Sequence, residues 1–160
     1  GGRPHAEEQA VPAAGEAVKG ATAYVTLEPC GARSSGRKSC AHFLAEAGVE
    51  RVVIAALDPS PFASGRGTER LRQSGLTVET GLMAEDAAVL SEGFLHRLET
   101  GRPIVRVSED GQGFDGRFVA APRADLTTEL NRLGEAGYPR LWTHEGELAE
   151  ALREQGLLTE

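Results

Sequence analysis

Four side chains in the first quarter of the sequence have the types and spacing for metal-assisted hydrolysis. His5 and Glu7 stand in the segment His5-Ala6-Glu7, Cys30 follows Pro29 at the end of an apolar run, and Cys40 comes after nine intervening residues. One imidazole and two thiolates supply three ligands for a tetrahedral Zn²⁺, and a centre with three protein ligands keeps its fourth position for water. Such a metal brings the pKa of its water towards neutrality, so a nucleophile is available near physiological pH. Glu7, two residues from the ligand His5, is too close in sequence for a comfortable fourth ligand and is placed to shuttle protons. The two cysteines could instead form a disulfide; the neighbouring H-x-E favours thiolate ligands.

Positioning these groups needs a particular order of elements. His5 to about Ala17 reads as a helix rich in Ala, Glu and Gln, disturbed by Pro12 and Gly15, with His5 and Glu7 in its first turn. The positive end of that helix favours an ionised carboxylate. Residues 21–28 (ATAYVTLE) read as a buried strand delivering Pro29 and Cys30 at its C-terminal end. A polar loop, 31–39, carries Arg33, Arg37 and Lys38; Arg33 and Lys38 are expected to be solvated decoration. Cys40 opens a short helix that ends at Gly48. Residues 51–57 form a second buried strand, closed by Asp58-Pro59-Ser60-Pro61, where two prolines hold the turn extended. A helix over 67–75, a strand over 76–81 and a helix over 84–98 complete βαβ units on a sheet covered on both faces. Gly101-Arg102-Pro103 reads as a junction, followed by a strand at 104–108, a glycine-rich stretch, a helix over 125–136, a strand at 140–143 and a final helix through Gln155. Glu28 can serve either near the metal or structurally at the strand end, and His42, His96 and His144 have no ligand partners at useful spacing.

The composition narrows the function classes. A formal net charge of −7 over 160 residues argues against a nucleic-acid surface, which needs clustered Lys and Arg. One local basic cluster can still serve a small phosphorylated substrate. There is no apolar run long enough for a membrane span and no leader, so the expected compartment is the cytoplasm.

The motif H-x-E, then P-C, then a further Cys is similar to that of the zinc nucleobase deaminases, except that nine residues separate the cysteines where the tight motif leaves two. With TLEPC, GVERVVIAALDPSP, the GRG loop and ETGRPIVRVSEDGQGFDGR, the chain resembles the bifunctional riboflavin-biosynthesis deaminase-reductase family from its start to about Phe118. The resemblance implies a three-layer α/β/α sandwich of the cytidine deaminase type over residues 1–100. It also implies deamination of the diamino-ribosylamino-pyrimidinone phosphate intermediate of riboflavin biosynthesis. On this reading His5, Cys30 and Cys40 hold one Zn²⁺, Glu7 moves protons, and Arg37, Asp58 and Ser60 contact the substrate.

Three departures accompany the resemblance. The loop reads GARSSGRKSC where the family has a His soon after the first Cys and T-P-P before the second. The helix and two strands that the family places ahead of HAE are not in this chain, and an unpaired sheet edge makes a homo-oligomer an expectation. Residues 101–160 match only the opening and closing of the family's reductase, so a shortened reductase-like segment is expected there, with NADPH needed only if a complete reductase exists elsewhere. The alternatives are a zinc deaminase of another pyrimidine or pterin-like metabolite, and a non-catalytic zinc-stabilised module.

Overall fold

The structure is a computed structural model and describes residues 4–33, 36–121 and 124–159. It divides into two compact units, Gly1–Leu90 and Ser91–Glu160.

In the first unit, helix α1 (Ala6–Ala14) starts from His5 as its N-cap and carries Pro12 inside it. The helix expected to run to Ala17 stops earlier. Gly15 takes a positive φ of 55°, which breaks the α-helical path, and a 3₁₀ turn over Gly15–Val18 follows. Strand β1 (Thr22–Leu27), helix α2 (Cys40–Glu46), strand β2 (Arg51–Ala56), helix α3 (Arg66–Gln73) and strand β3 (Thr77–Thr80) then alternate. The strands form a parallel sheet in the order β1-β2-β3, with Ala23 opposite Val52 and Val52 opposite Val78.

Side chains alternate across each strand, so the sheet has two apolar faces to cover. On one face Ala23, Val25, Val52, Ile54 and Val78 pack with Val11 of α1, Ala41 and Leu44 of α2 and Leu71 of α3. On the other, Tyr24, Thr26, Val53 and Ala55 line an apolar cavity of about 210 Å³ with Leu82, Met83, Ala87 and Leu90. The last two belong to the start of helix α4 (Ala84–Thr100). Helices, sheet and helix therefore make three layers in this unit.

Two strands differ from the sequence reading. β1 was expected to be buried, yet Tyr24 is 68% exposed and no residue of the strand is buried. β1 pairs only with β2 among the described residues. β3, at the opposite edge, is likewise mostly exposed. Only β2, with Val52, Val53 and Ile54 all buried, matches the expectation of a strand covered on both sides.

The α3 start fixes the site's frame. A Cβ at Gly67 would lie 1.7 Å from the carbonyl oxygen of Pro29, so the helix approaches the Pro29-Cys30 segment closer than any other residue allows. Gly67→Ala is expected to cost about 1 to 3 kcal/mol by overpacking and to weaken zinc retention, because Pro29 carries Cys30 with it. Thermal melting and metal content check this; a variant matching wild type in both would show that α3 does not constrain the ligand.

The second unit repeats the parallel theme. Strands β4 (Ile104–Val107), β5 (Gly116–Arg117) and β6 (Arg140–Thr143) form a sheet in the order β4-β6-β5, with helices α5 (Leu126–Glu135) and α6 (Glu147–Glu154). Val105, Phe118, Leu126, Leu130, Leu141 and Leu152 make its core. The Asp125 side chain caps α5 by accepting the Thr128 N–H at 3.0 Å. β5 was not foreseen: it is two residues long, and Gly116 and Arg117 carry no apolar signal. No helix among the described residues is long and apolar enough to cross a membrane.

Candidate metal and active site

Three elements bring the ligand set together. The C-terminal end of β1 runs into Pro29 and Cys30, α2 begins at Cys40, and α1 begins just after His5. Ser39 caps α2 by accepting the His42 N–H at 3.3 Å, which fixes Cys40 in the first turn. The Cys40 N–H points to Cys30 Sγ at 3.3 Å, and the Ala41 N–H donates to the Cys30 carbonyl at 3.2 Å. The helix terminus thus directs its free donors at the first cysteine.

His5 Nδ1 lies 3.2 Å from Cys40 Sγ and 3.9 Å from Cys30 Sγ, and the three donor atoms fall within 4.8 Å of one another. Tetrahedral zinc with Zn–S near 2.3 Å and Zn–N near 2.0 Å places sulfur and nitrogen ligands about 3.6 Å apart, between the two observed separations. Both cysteines are free thiols and buried, 7% and 1% exposed. The donor set fits one Zn²⁺ in chemistry and in size.

The metal-free electrostatics point the same way. The hydrogen bond from Cys40 holds the Cys30 thiol down, to about 5, with help from the Cys40 backbone N–H, Arg33 and His5 against the opposing effect of burial. Cys40 is pushed up by its bond to Cys30, by burial, and by the Glu7 carboxylate. Forming the second thiolate beside the first is opposed in the metal-free pair, and a bound dication would offset that opposition. Glu7 stands in the first turn of α1, two residues after His5.

Glu8 is the residue that the sequence reading missed. Its Oε2 accepts the His5 N–H at 2.8 Å and Arg33 Nη2 at 2.9 Å, and its Oε1 accepts Arg37 Nη2 at 2.9 Å. The His5 bond, ahead of the two arginines, holds its carboxyl below the usual range. An acidic residue three positions after a helix N-cap is a capping-box signal, and it was available in the sequence.

Arg33 corrects an expectation. Its side chain is 6% exposed, its Nη2 also lies 3.6 Å from Cys40 Sγ, and its buried Nε has no hydrogen-bond partner among the described residues. Burial alone would lower its pKa, but Glu8 and the two thiols raise it, so the guanidinium stays charged. Lys38 is a surface group, as expected, and pairs with Glu46. Arg37 is 60% exposed and reaches the same Glu8 carboxylate from outside.

Glu28 has a structural place. It is 3% exposed, and its carboxylate accepts the Gly65 N–H at 3.0 Å and the Thr68 N–H and hydroxyl at 2.9 Å each, satisfying the donors at the start of α3. Asp58 and Ser60 are both buried; Asp58 Oδ1 accepts the Ser60 N–H at 2.8 Å and shapes the turn. That turn docks beside the first cysteine, since Phe62 O accepts the N–H groups of Gly31 and Ala32. No contact joins Asp58 or Ser60 to the three ligand side chains. His42 pairs with Glu46, and His144 stacks edge-on against Trp142, so neither joins the cluster.

Residues 2–56 match the family described as the cytidine and deoxycytidylate deaminase zinc-binding region. The chain is 48% identical over 140 residues to the riboflavin biosynthesis protein RibD of Escherichia coli, covering 82% of this chain and 38% of that protein. It is 41% identical over 102 residues to the diaminohydroxyphosphoribosylamino-pyrimidine deaminase of Buchnera aphidicola subsp. Schizaphis graminum, covering 64% of this chain and 69% of that one. The chain belongs to the RibD deaminase family. Its fold agrees with a solved RibD of Acinetobacter baumannii at a TM-score of 0.74 and 23% identity, over 98% of this chain and 72% of that one. The matched zinc-binding region, residues 2–56, contains His5, Cys30 and Cys40. The chain spans 38% of the E. coli relative and 33% of the Aquifex aeolicus one, about a third of their length.

Proposed function

We propose that the chain is the zinc-dependent deaminase of riboflavin biosynthesis, hydrolysing the diamino-ribosylamino-pyrimidinone phosphate to the corresponding pyrimidinedione and ammonia. The observation that carries this reading is the His5, Cys30 and Cys40 cluster, with Glu7 in the helical turn that begins just after His5. A structural zinc has no need of such a carboxylate, which disfavours a non-catalytic module.

His5, Cys30 and Cys40 would hold the metal, which would supply a water of lowered pKa. Glu7 accepts the proton that this water loses as its oxygen adds to the ring carbon bearing the exocyclic amine. Glu7 passes that proton to the ring nitrogen, then takes the proton of the added hydroxyl and gives it to the amine, which leaves as ammonia while the carbon becomes a carbonyl. Asp58 and Ser60, whose turn docks beside Gly31, and Arg37 at the rim, take the substrate contacts.

Residues 101–160 are a shortened reductase-like segment, and NADPH has a role only with a complete reductase. The protein acts in the cytoplasm on a small phosphorylated metabolite, not on nucleic acid, consistent with its net charge of −7. Homo-oligomerisation would cover the edge of β1 that pairs with no strand among the described residues.

A second reading keeps the chemistry and changes the substrate to another pyrimidine or pterin-like metabolite. It is favoured by the loop after Cys30, where a buried arginine stands. Ammonia release by the zinc-loaded protein separates the two. Turnover of the riboflavin intermediate well above that of free cytosine and guanine derivatives is the expected result, and the reverse order would install the second reading.

A further inference from the structure

We propose that the part-buried Arg33–Glu8 ion pair is a positioning device for the metal centre, strapping the loop between the cysteines to the His5 end of α1 and holding a guanidinium against Cys40. The inference rests on the zinc-deaminase reading above and adds two residues to it.

The geometry links His5 and Cys40 through one carboxylate and one guanidinium. Glu8 Oε2 takes the backbone N–H of ligand His5 at 2.8 Å and, from the opposite side of the chain, Arg33 Nη2 at 2.9 Å. The same Nη2 stands 3.6 Å from Sγ of ligand Cys40. Arg33 lies three residues after ligand Cys30, so its side chain returns across the cluster that its backbone has just left. With side chains 6% and 17% exposed, the pair is shielded from the screening that makes surface ion pairs weak. Arg37, 60% exposed, closes the other carboxylate oxygen from the solvent side.

The charge at Cys40 has a specific consequence. A dication with two thiolates and a neutral imidazole has no net charge, and thiolates are strong electron donors. A guanidinium against one thiolate draws density away from the metal and restrains ligand orientation, as outer-shell partners do in zinc sites generally. Arg suits this role because its planar fork can address a carboxylate and a second acceptor together.

The test compares wild type with Arg33→Met, Arg33→Lys and Glu8→Gln. Zinc affinity is read by competition with a chromophoric chelator, and the thiolate-to-metal absorption is recorded on the Co²⁺-substituted proteins. Arg33→Met is expected to lose about 10- to 100-fold in zinc affinity and to displace the absorption band. Arg33→Lys restores the charge without the fork and recovers part of the loss. Glu8→Gln falls between, since the guanidinium stays while its anchor weakens.

Wild-type affinity with an unmoved band in Arg33→Met overturns the proposal, even if its melting temperature falls. If Arg33→Met does not fold, Glu8→Gln, nearly identical in shape, decides by the same two readouts. Neither readout needs substrate. Weakened metal binding in the variants of a wild type that releases no ammonia leaves the positioning pair standing and removes the deaminase reading; ammonia release with unchanged variant affinities does the opposite.

Discussion

Glu7→Gln cuts ammonia release by about 10² to 10⁴ while zinc content stays at one per chain, if the carboxylate is the proton carrier. The substitution keeps the volume and the polarity of the side chain and removes only its ability to take a proton. Zinc is retained because the three donors that converge are His5, Cys30 and Cys40, without Glu7. Zinc retained while the rate is lost separates the expected result from a general loss of the site. The measurement is metal analysis and initial rate on the same preparation. Full activity would end the proton-carrier role, and loss of zinc would make Glu7 part of the coordination instead.

Cys40→Ser has the larger effect on the protein itself. A serine hydroxyl stays protonated at neutral pH and is a poor match for Zn²⁺, so the centre falls to two good ligands. Position 40 is 1% exposed, and a hydroxyl left there without a partner costs about 1 to 3 kcal/mol on its own. Binding energy of a metal that needs the folded ligand set is also folding energy, so its loss adds to the deficit. The variant is expected to be zinc-free after dialysis against a chelator and to melt well below wild type. Cys30→Ser should do the same and additionally remove the acceptor of the Cys40 N–H, loosening the start of α2. Stoichiometric zinc and an unchanged melting temperature in either variant would show that the cluster is not the metal site.

Much of the ligand geometry was legible in the sequence because each ligand sits at the end of an element that local chemistry marks. A β-branched run ends at Pro29-Cys30, and Ser39 is a strong N-cap directly before Cys40. Long-range facts were less legible. The burial of Arg33 depends on Glu8, 25 residues earlier, and a loop arginine in isolation reads as solvated. Burial of a strand depends on its neighbours in the sheet, so the same apolar pattern is buried in β2 and open in β1. β5 is a strand only because Gly116 and Arg117 pair with Leu141 and Trp142. Gly67 reads as a helix-start glycine; that it meets the Pro29 carbonyl is a tertiary fact.

The bonds made by Glu28 turn two backbone amides into remote reporters of the centre. Gly65 and Thr68 donate their N–H groups to a carboxylate two residues before Cys30, on the segment that the metal anchors. Hydrogen–deuterium exchange at these amides measures how often that carboxylate lets go, because local opening sets the exchange rate. Stripping the metal therefore accelerates exchange at the start of α3, an element that supplies no ligand. Faster exchange there on metal removal is the expected result, and it can be followed without substrate or turnover.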